Sequence, residues 1–240
     1  MARARSSGHG RLRRLLAVGT LLGVLGLAAA VGLNLHLASG MGRIDAAFEG
    51  LAGRPPPTPG ETILMVGTRP GGTGDVSWLP GEQSVESVML VEVDAGGRSA
   101  RVESVPMSYD DRVGLGARPA SAAVAAVEST AGRRVDHVMT IDWQTFAALA
   151  ADNDVDATYR YGSDPAAQHD YLRLVLEGTL HAELRKQPLS LYRALRTTAA
   201  GVAIDDTWTV AELDLLVLHL RDLRSADITF STARAGARSG

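Results

Sequence analysis

From Leu15 to Gly42 the chain carries no Asp, Glu, Lys or Arg, and Leu15–Leu37 is broken only by Thr20, Asn34 and His36 among Leu, Val, Ala and Gly. As a helix this stretch would cover about 34 Å, enough for a hydrocarbon core of about 30 Å. Just before it lie Arg3, Arg5, Arg11, Arg13 and Arg14, with no acidic residue among them. The positive-inside rule therefore predicts a cytoplasmic basic tail over 1–14, one transmembrane helix over 15–37, and the rest of the chain outside the cytoplasm. A cleaved leader is the alternative, with Ala28-Ala29-Ala30 or Ala38-Ser39-Gly40 as cleavage sites. The apolar run exceeds the usual core of about 7 to 15 residues in a leader, which favours a retained signal-anchor at the cell membrane. Gly19 and Gly23 have the spacing that lets two membrane helices approach closely, although a glycine-rich composition explains it as well.

Beyond the tail the chain is acidic. Nineteen basic residues face 27 acidic ones over residues 15–240, a balance of −8. Such a surface opposes nucleic-acid binding. The absence of cysteine excludes disulfides and thiolate-held metals, so stability has to come from a buried core. Residues 38–60 read as a linker that ends in the proline-rich run Arg54–Gly60, with a short helix allowed over Met41–Leu51. The folded domain is expected over 61–233, and a disordered tail over 234–240.

Within that domain, Thr62–Gly67 reads as a buried strand and Thr68–Gly81 as a loop. Ser87–Asp94 and Ser99–Val105 form a hairpin around Gly96-Gly97, which Pro106 ends. Ala120–Ala131 is helical, and Val135–Ile141 is a strand. Asp142 caps a helix over Trp143–Ala151. Asp164-Pro165 opens a longer helix with Leu172, Val175, Leu176, Thr179 and Leu180 on one face. A helix over Leu189–Ala200 turns Leu191 and Leu195 inward. Thr209 and Glu212 form a capping box ahead of a helix that buries Leu213, Leu216, Val217 and Leu220. Asp227–Ala233 is the closing strand. Strands and helices in this order predict an α/β domain, layered α-β-α around a mixed central sheet.

Catalytic signatures are absent from the sequence. His9, His36, His137, His169, His181 and His219 are scattered without metal-ligand spacing, and His137 in its strand reads as a core residue. There is no nucleophile elbow, and Gly71-Gly72-Thr73-Gly74 lacks the lysine of a phosphate loop. Two places remain: the loop after the first strand, Gly67-Thr68-Arg69-Pro70, and the first turn of the long helix, with Gln168 and His169. Strand ends and helix N-termini are where α/β folds bind anions.

Taken in order, Thr62–Gly67, Ser87–Asp94, Val102–Pro106, Val135–Val138, Asp142–Phe146, Gln168–Leu176 and Asp227–Phe230 resemble the successive strands and helices of the LytR-CpsA-Psr cell-envelope family, over about residues 61 to 233. The resemblance implies a role in cell-wall glycopolymer assembly. Members move glycopolymers from a polyprenyl-pyrophosphate carrier to the wall, with Mg2+ held by aspartates and arginines gripping the pyrophosphate. Such chemistry needs cations against phosphoryl oxygens. The site positions depart from that pattern. The family's loop aspartate falls at Arg69, an arginine at Ser84, and the next aspartate at Glu86. An Arg-Asp pair falls at Met107-Ser108, and two arginines fall at Asp164 and Ala167. Gln168 is kept. The segment Val155–Gly162 is too short for the family's arginine-bearing stretch. Arg69, Glu86 and Gln168 are thus the candidate ligand-binding residues, with Glu86 the one candidate for Mg2+. Arg112, Arg118 and Arg160 are arginines that could compensate.

The expected function is a non-catalytic or altered member, a pseudoenzyme that binds a polyprenyl phosphate lipid or a wall-assembly protein. The alternative is an active phosphotransferase acting through Glu86 and relocated arginines. A DNA-binding role is opposed by both topology and charge.

Overall fold

The computed structural model describes residues 32–72, 75–79, 81–152, 154–179, 188–220 and 223–233. Residues 1–39 and 40–240 form separate units. In the first, residues 32–38 are helical. The rest of the expected anchor, the basic tail, Leu180 and the C-terminal tail lie outside the described residues, as do the side chains of Leu176, Thr179, Leu191, Leu195 and Val217. Among the described residues no helix is long and apolar enough to cross a membrane.

The second unit is built on a seven-stranded sheet. Its strands are β1 (Gly42–Ile44), β2 (Glu61–Pro70), β3 (Gln83–Val93), β4 (Ala100–Ser104), β5 (His137–Asp142), β6 (Val202–Asp205) and β7 (Ile228–Thr232). They lie in the order β1-β6-β5-β2-β3-β4-β7. Contacts of β2 with β5, β1 with β6 and β4 with β7 are parallel, while β2–β3, β3–β4 and β5–β6 are antiparallel, so the sheet is mixed. The helices are α1 (Tyr109–Ala117), α2 (Ala120–Ala131), α3 (Trp143–Asp152), α4 (Pro165–Thr179), α5 (Pro188–Ala200) and α6 (Val210–His219).

Alternation along the strands divides the core into two. Leu64, Val66, Val88, Leu90 and Val138 point to one face and pack with Leu115 of α1 and Ala123, Val124 and Val127 of α2. Ile63, Met89, Val93, Ile141 and Ile204 point to the other and pack with α3, α4 and α6 through Phe146, Leu172, Val175 and Leu216. Full burial of side chains such as Leu64, Leu90 and Ile204 contributes about 1.5–3 kcal/mol each. The expected layered α-β-α arrangement is therefore present.

Local signals act as anticipated. Asp142 Oδ1 accepts from the Gln144 N–H at 2.9 Å, and Asp164 Oδ1 from the Ala167 N–H at 2.9 Å. Thr209 and Glu212 form the capping box of α6. His137 is a half-buried strand residue whose ring stacks on Trp208, with centroids 4.2 Å apart.

Part of the segment read as a linker belongs to the domain. Instead of a short helix, Gly42–Ile44 forms β1, paired in parallel with β6, and Ile44 and Ala47 are completely buried. Farther on, Arg54 Nη2 donates to Glu128 Oε1 at 2.7 Å, Arg54 Nε donates to the same oxygen at 3.1 Å, and Nη2 also reaches the Val135 carbonyl. Three residues of strand are too few to show periodicity, and an ion pair to a helix 74 residues away leaves no local trace. Helix α1 and strand β6 are also additions to the sequence reading.

Candidate ligand-binding site

The site begins with an irregularity in the central hairpin. Gly67 of β2 pairs with Ser87 of β3, but the next residue, Thr68, pairs with Val85. Glu86 is the extra residue of a β-bulge. A bulge re-aims the side chains around it. Val85 and Val88 consequently reach the same α1/α2 face although they are three residues apart. Glu86 itself is 3% exposed.

Each Glu86 oxygen has a partner. Oε1 accepts from the Tyr159 hydroxyl at 2.7 Å and from the Gly162 N–H. Oε2 lies 3.6 Å from Arg69 Nε, which also donates to Ser84 Oγ at 3.3 Å. Gly162 adopts a φ of 80°, in the left-handed region that glycine enters without steric cost. The Arg69 guanidinium also lies over the Tyr161 ring, 5.7 Å from its centroid.

Tyr159 connects this carboxylate to α4. Its hydroxyl accepts from Gln168 Nε2 at 3.3 Å, and the same amide nitrogen donates to the Ser163 carbonyl at 3.0 Å. Beneath it, the Tyr159 ring stacks on Trp143 at 4.2 Å and 8°. Tyr171 and Tyr161 complete the aromatic group. Burial, and then the charge of Glu86, push the Tyr159 hydroxyl far above the usual phenol range, so it remains a proton donor. Burial and the Asp142 and Glu86 carboxylates raise Tyr161 in the same direction.

Beside Glu86 lies a pocket of about 250 Å³ lined by Glu86, Ser87, Ser104, Met107, Arg112, Asp164 and Gln168, among others. In its wall, Ser104 Oγ and His169 Nε2 share a buried hydrogen bond of 2.7 Å. Burial lowers the His169 pKa and favours a neutral ring, whose Nε2 accepts from or donates to the hydroxyl according to its tautomer.

The structure thus brings Arg69, Glu86 and Gln168 into one cluster. Ser84, Met107 and Asp164, three positions where the family pattern is altered, border it too. Of the arginines considered as compensation, Arg112 lines the pocket, whereas Arg118 and Arg160 are exposed. Sequence reasoning missed Tyr159 and Tyr161, because their segment has neither periodicity nor a motif. The short Val155–Gly162 stretch supplies aromatic rings and a backbone N–H where the resemblance implies arginines.

These residues do not fit a magnesium ion. Mg2+ takes oxygen ligands in near-octahedral geometry, but Glu86 gives one oxygen to two internal donors and turns the other towards a guanidinium. Among the described residues, no three His, Asp or Glu side chains gather as a metal-binding group.

A comparison with protein-family models and with curated proteins finds no match for this chain. Solved structures do match. A LytR-Csp2A-Psr enzyme from Actinomyces oris superposes with a TM-score of 0.54 at 17% identity, over 82% of this chain and 88% of that one. Protein gbs0355 from Streptococcus agalactiae gives 0.50 at 15% identity, over 73% and 77%. At such identities the likeness concerns architecture, and in architecture this domain has the LytR-CpsA-Psr fold.

Proposed function

We propose that this chain is a membrane-anchored, extracytoplasmic protein of cell-wall glycopolymer assembly that binds a polyprenyl-pyrophosphate-linked glycan without transferring it. The observation that carries the reading is the state of Glu86, the single acidic side chain left at the family's site positions in the central hairpin. Its oxygens are engaged by Tyr159, Gly162 and Arg69. Phosphoryl transfer needs cations that neutralise charge in the transition state. Here the carboxylate that could hold such an ion is committed to the protein's own donors. The adjoining pocket keeps Arg112, a side chain suited to an anionic group. The predicted anchor over 15–37 would keep the pocket near a lipid-linked precursor.

The test uses the full chain in lipid nanodiscs with a polyprenyl-pyrophosphate glycan, Mg2+ and peptidoglycan. Saturable lipid binding with no glycan appearing on the acceptor is the expected result. A second reading, an active phosphotransferase, draws on Arg112 in the pocket wall. Transfer by the wild type that Glu86→Ala abolishes would establish it and overturn the first.

A further inference from the structure

We infer that Arg69 is the resident cation of this site, so that anions are bound here by guanidinium groups and without a divalent metal. The inference rests on the lipid-binding reading only for the identity of the anion.

The first ground is the geometry of Arg69. Its Nε faces Glu86 Oε2 and Ser84 Oγ, and its guanidinium lies over Tyr161. Serine 84 is itself fixed, donating to the Gly71 carbonyl at 2.7 Å. The guanidinium is therefore held from several sides. Among the described residues its two Nη groups donate no hydrogen bond, and the side chain is 30% exposed.

The second ground is Glu86. A carboxylate that is 3% exposed has to be compensated, and neutral donors compensate it only in part. Arg69 supplies the positive charge. A divalent ion would have to displace that guanidinium from Oε2 and the Tyr159 and Gly162 donors from Oε1. Even then it would lack a full set of ligands, because no three His, Asp or Glu side chains gather among the described residues, and Asp142, whose charge is felt at Tyr161, is engaged by the Gln144 N–H. Asp164, the other carboxylate of the pocket wall, is engaged at the start of α4.

The third ground is Arg112. It lies in the wall of the same pocket, half-buried, and forms no ion pair among the described residues. With Glu86 neutralised by Arg69, the Arg112 charge is left for an incoming anion. Arginine suits phosphoryl oxygens, since its planar fork matches them bidentately.

The experiment has two arms on the full-length protein in nanodiscs. In the first, Mn2+ is titrated as a paramagnetic probe and read by electron paramagnetic resonance. Wild type should bind no Mn2+ at this site at sub-millimolar concentrations, giving the same free-ion signal as Glu86→Gln. Arg69→Asp, which places two carboxylates together, should create a Mn2+ site that Arg69→Gln does not. Wild-type Mn2+ binding that Glu86→Gln abolishes overturns the inference, and this readout involves no lipid.

In the second arm, binding of a short-chain polyprenyl pyrophosphate is measured in EDTA and in Mg2+. Equal affinities are expected, with a loss of about tenfold or more in Arg112→Ala, the scale of one charge-assisted contact. Binding that requires Mg2+ overturns the inference and leaves the lipid-binding reading intact. Absence of binding in both buffers sinks the lipid-binding reading, while the Mn2+ titration still decides the nature of the resident cation.

Discussion

The Tyr159 hydroxyl donates to Glu86 Oε1 at 2.7 Å, joining a residue without regular secondary structure to the bulge of the central hairpin. Tyr159→Phe keeps the stack on Trp143 and removes this single donor. It should lower unfolding free energy in urea by about 1.5–3 kcal/mol, the range for a hydrogen bond to a charged group. Amide exchange at Gly162, whose N–H shares that oxygen, should accelerate. Unchanged exchange at Gly162 would mean that the segment is held elsewhere.

Removing residues 1–60 tests the domain boundary. That deletion takes away β1, the buried Ile44 and Ala47, and Arg54. A chain beginning at residue 40 should unfold cooperatively, whereas one beginning at residue 61 should show a markedly lower midpoint. Within the complete chain, Arg54→Ala leaves Glu128, whose side chain is 4% exposed, without its cation. A loss of about 2–3 kcal/mol is expected by chemical denaturation.

The contrast between boundary and hairpin shows what the sequence makes legible. The β3–β4 hairpin, helix α2 and the caps at Asp142, Asp164 and Thr209 were readable, because each depends on residues within one turn or one tight loop. Strands β1 and β6 were not. They are three and four residues long, and each pairs with a partner distant in the chain. Helix α1 carried the Ser108–Asp111 capping box, but Gly114 and Gly116 diluted its pattern. At the site, the family resemblance pointed to Arg69, Glu86 and Gln168. Tyr159 stayed hidden, because its role arises from a fold-back onto a bulge.

His169 predicts a pH dependence. Burial depresses its folded pKa below the unfolded value of about 6.5. The folded state therefore binds fewer protons than the unfolded one, so this contribution is fully present above about pH 6.5 and is lost as pH falls through the lower, folded pKa. The urea midpoint should fall between pH 8 and pH 5.5, and by less in His169→Gln, whose amide can still hydrogen-bond with Ser104. An equal fall in both proteins would assign the effect to other groups.

Gly67 sits where β2 meets the bulge. A Cβ there would collide with Ser87 Oγ and with the Trp143 indole nitrogen. Gly67→Ala should cost about 1–3 kcal/mol, as overpacking does, and should alter the fluorescence of Trp143. A variant with wild-type stability and an unchanged spectrum would show that this contact relaxes freely.

The first and last strands close opposite edges of the sheet, and this carries a consequence for biogenesis. Near β1, the Ala46 N–H meets a carboxylate 160 residues later in the chain, and β7 follows every other strand among the described residues. As the polypeptide emerges N-terminus first, the β2–β3–β4 meander can pair at once; its β2 flank is covered when β5 follows, but its β4 flank stays unprotected until the distant β7 emerges. A chain released early would display open strand edges, the surfaces on which unfinished sheets aggregate.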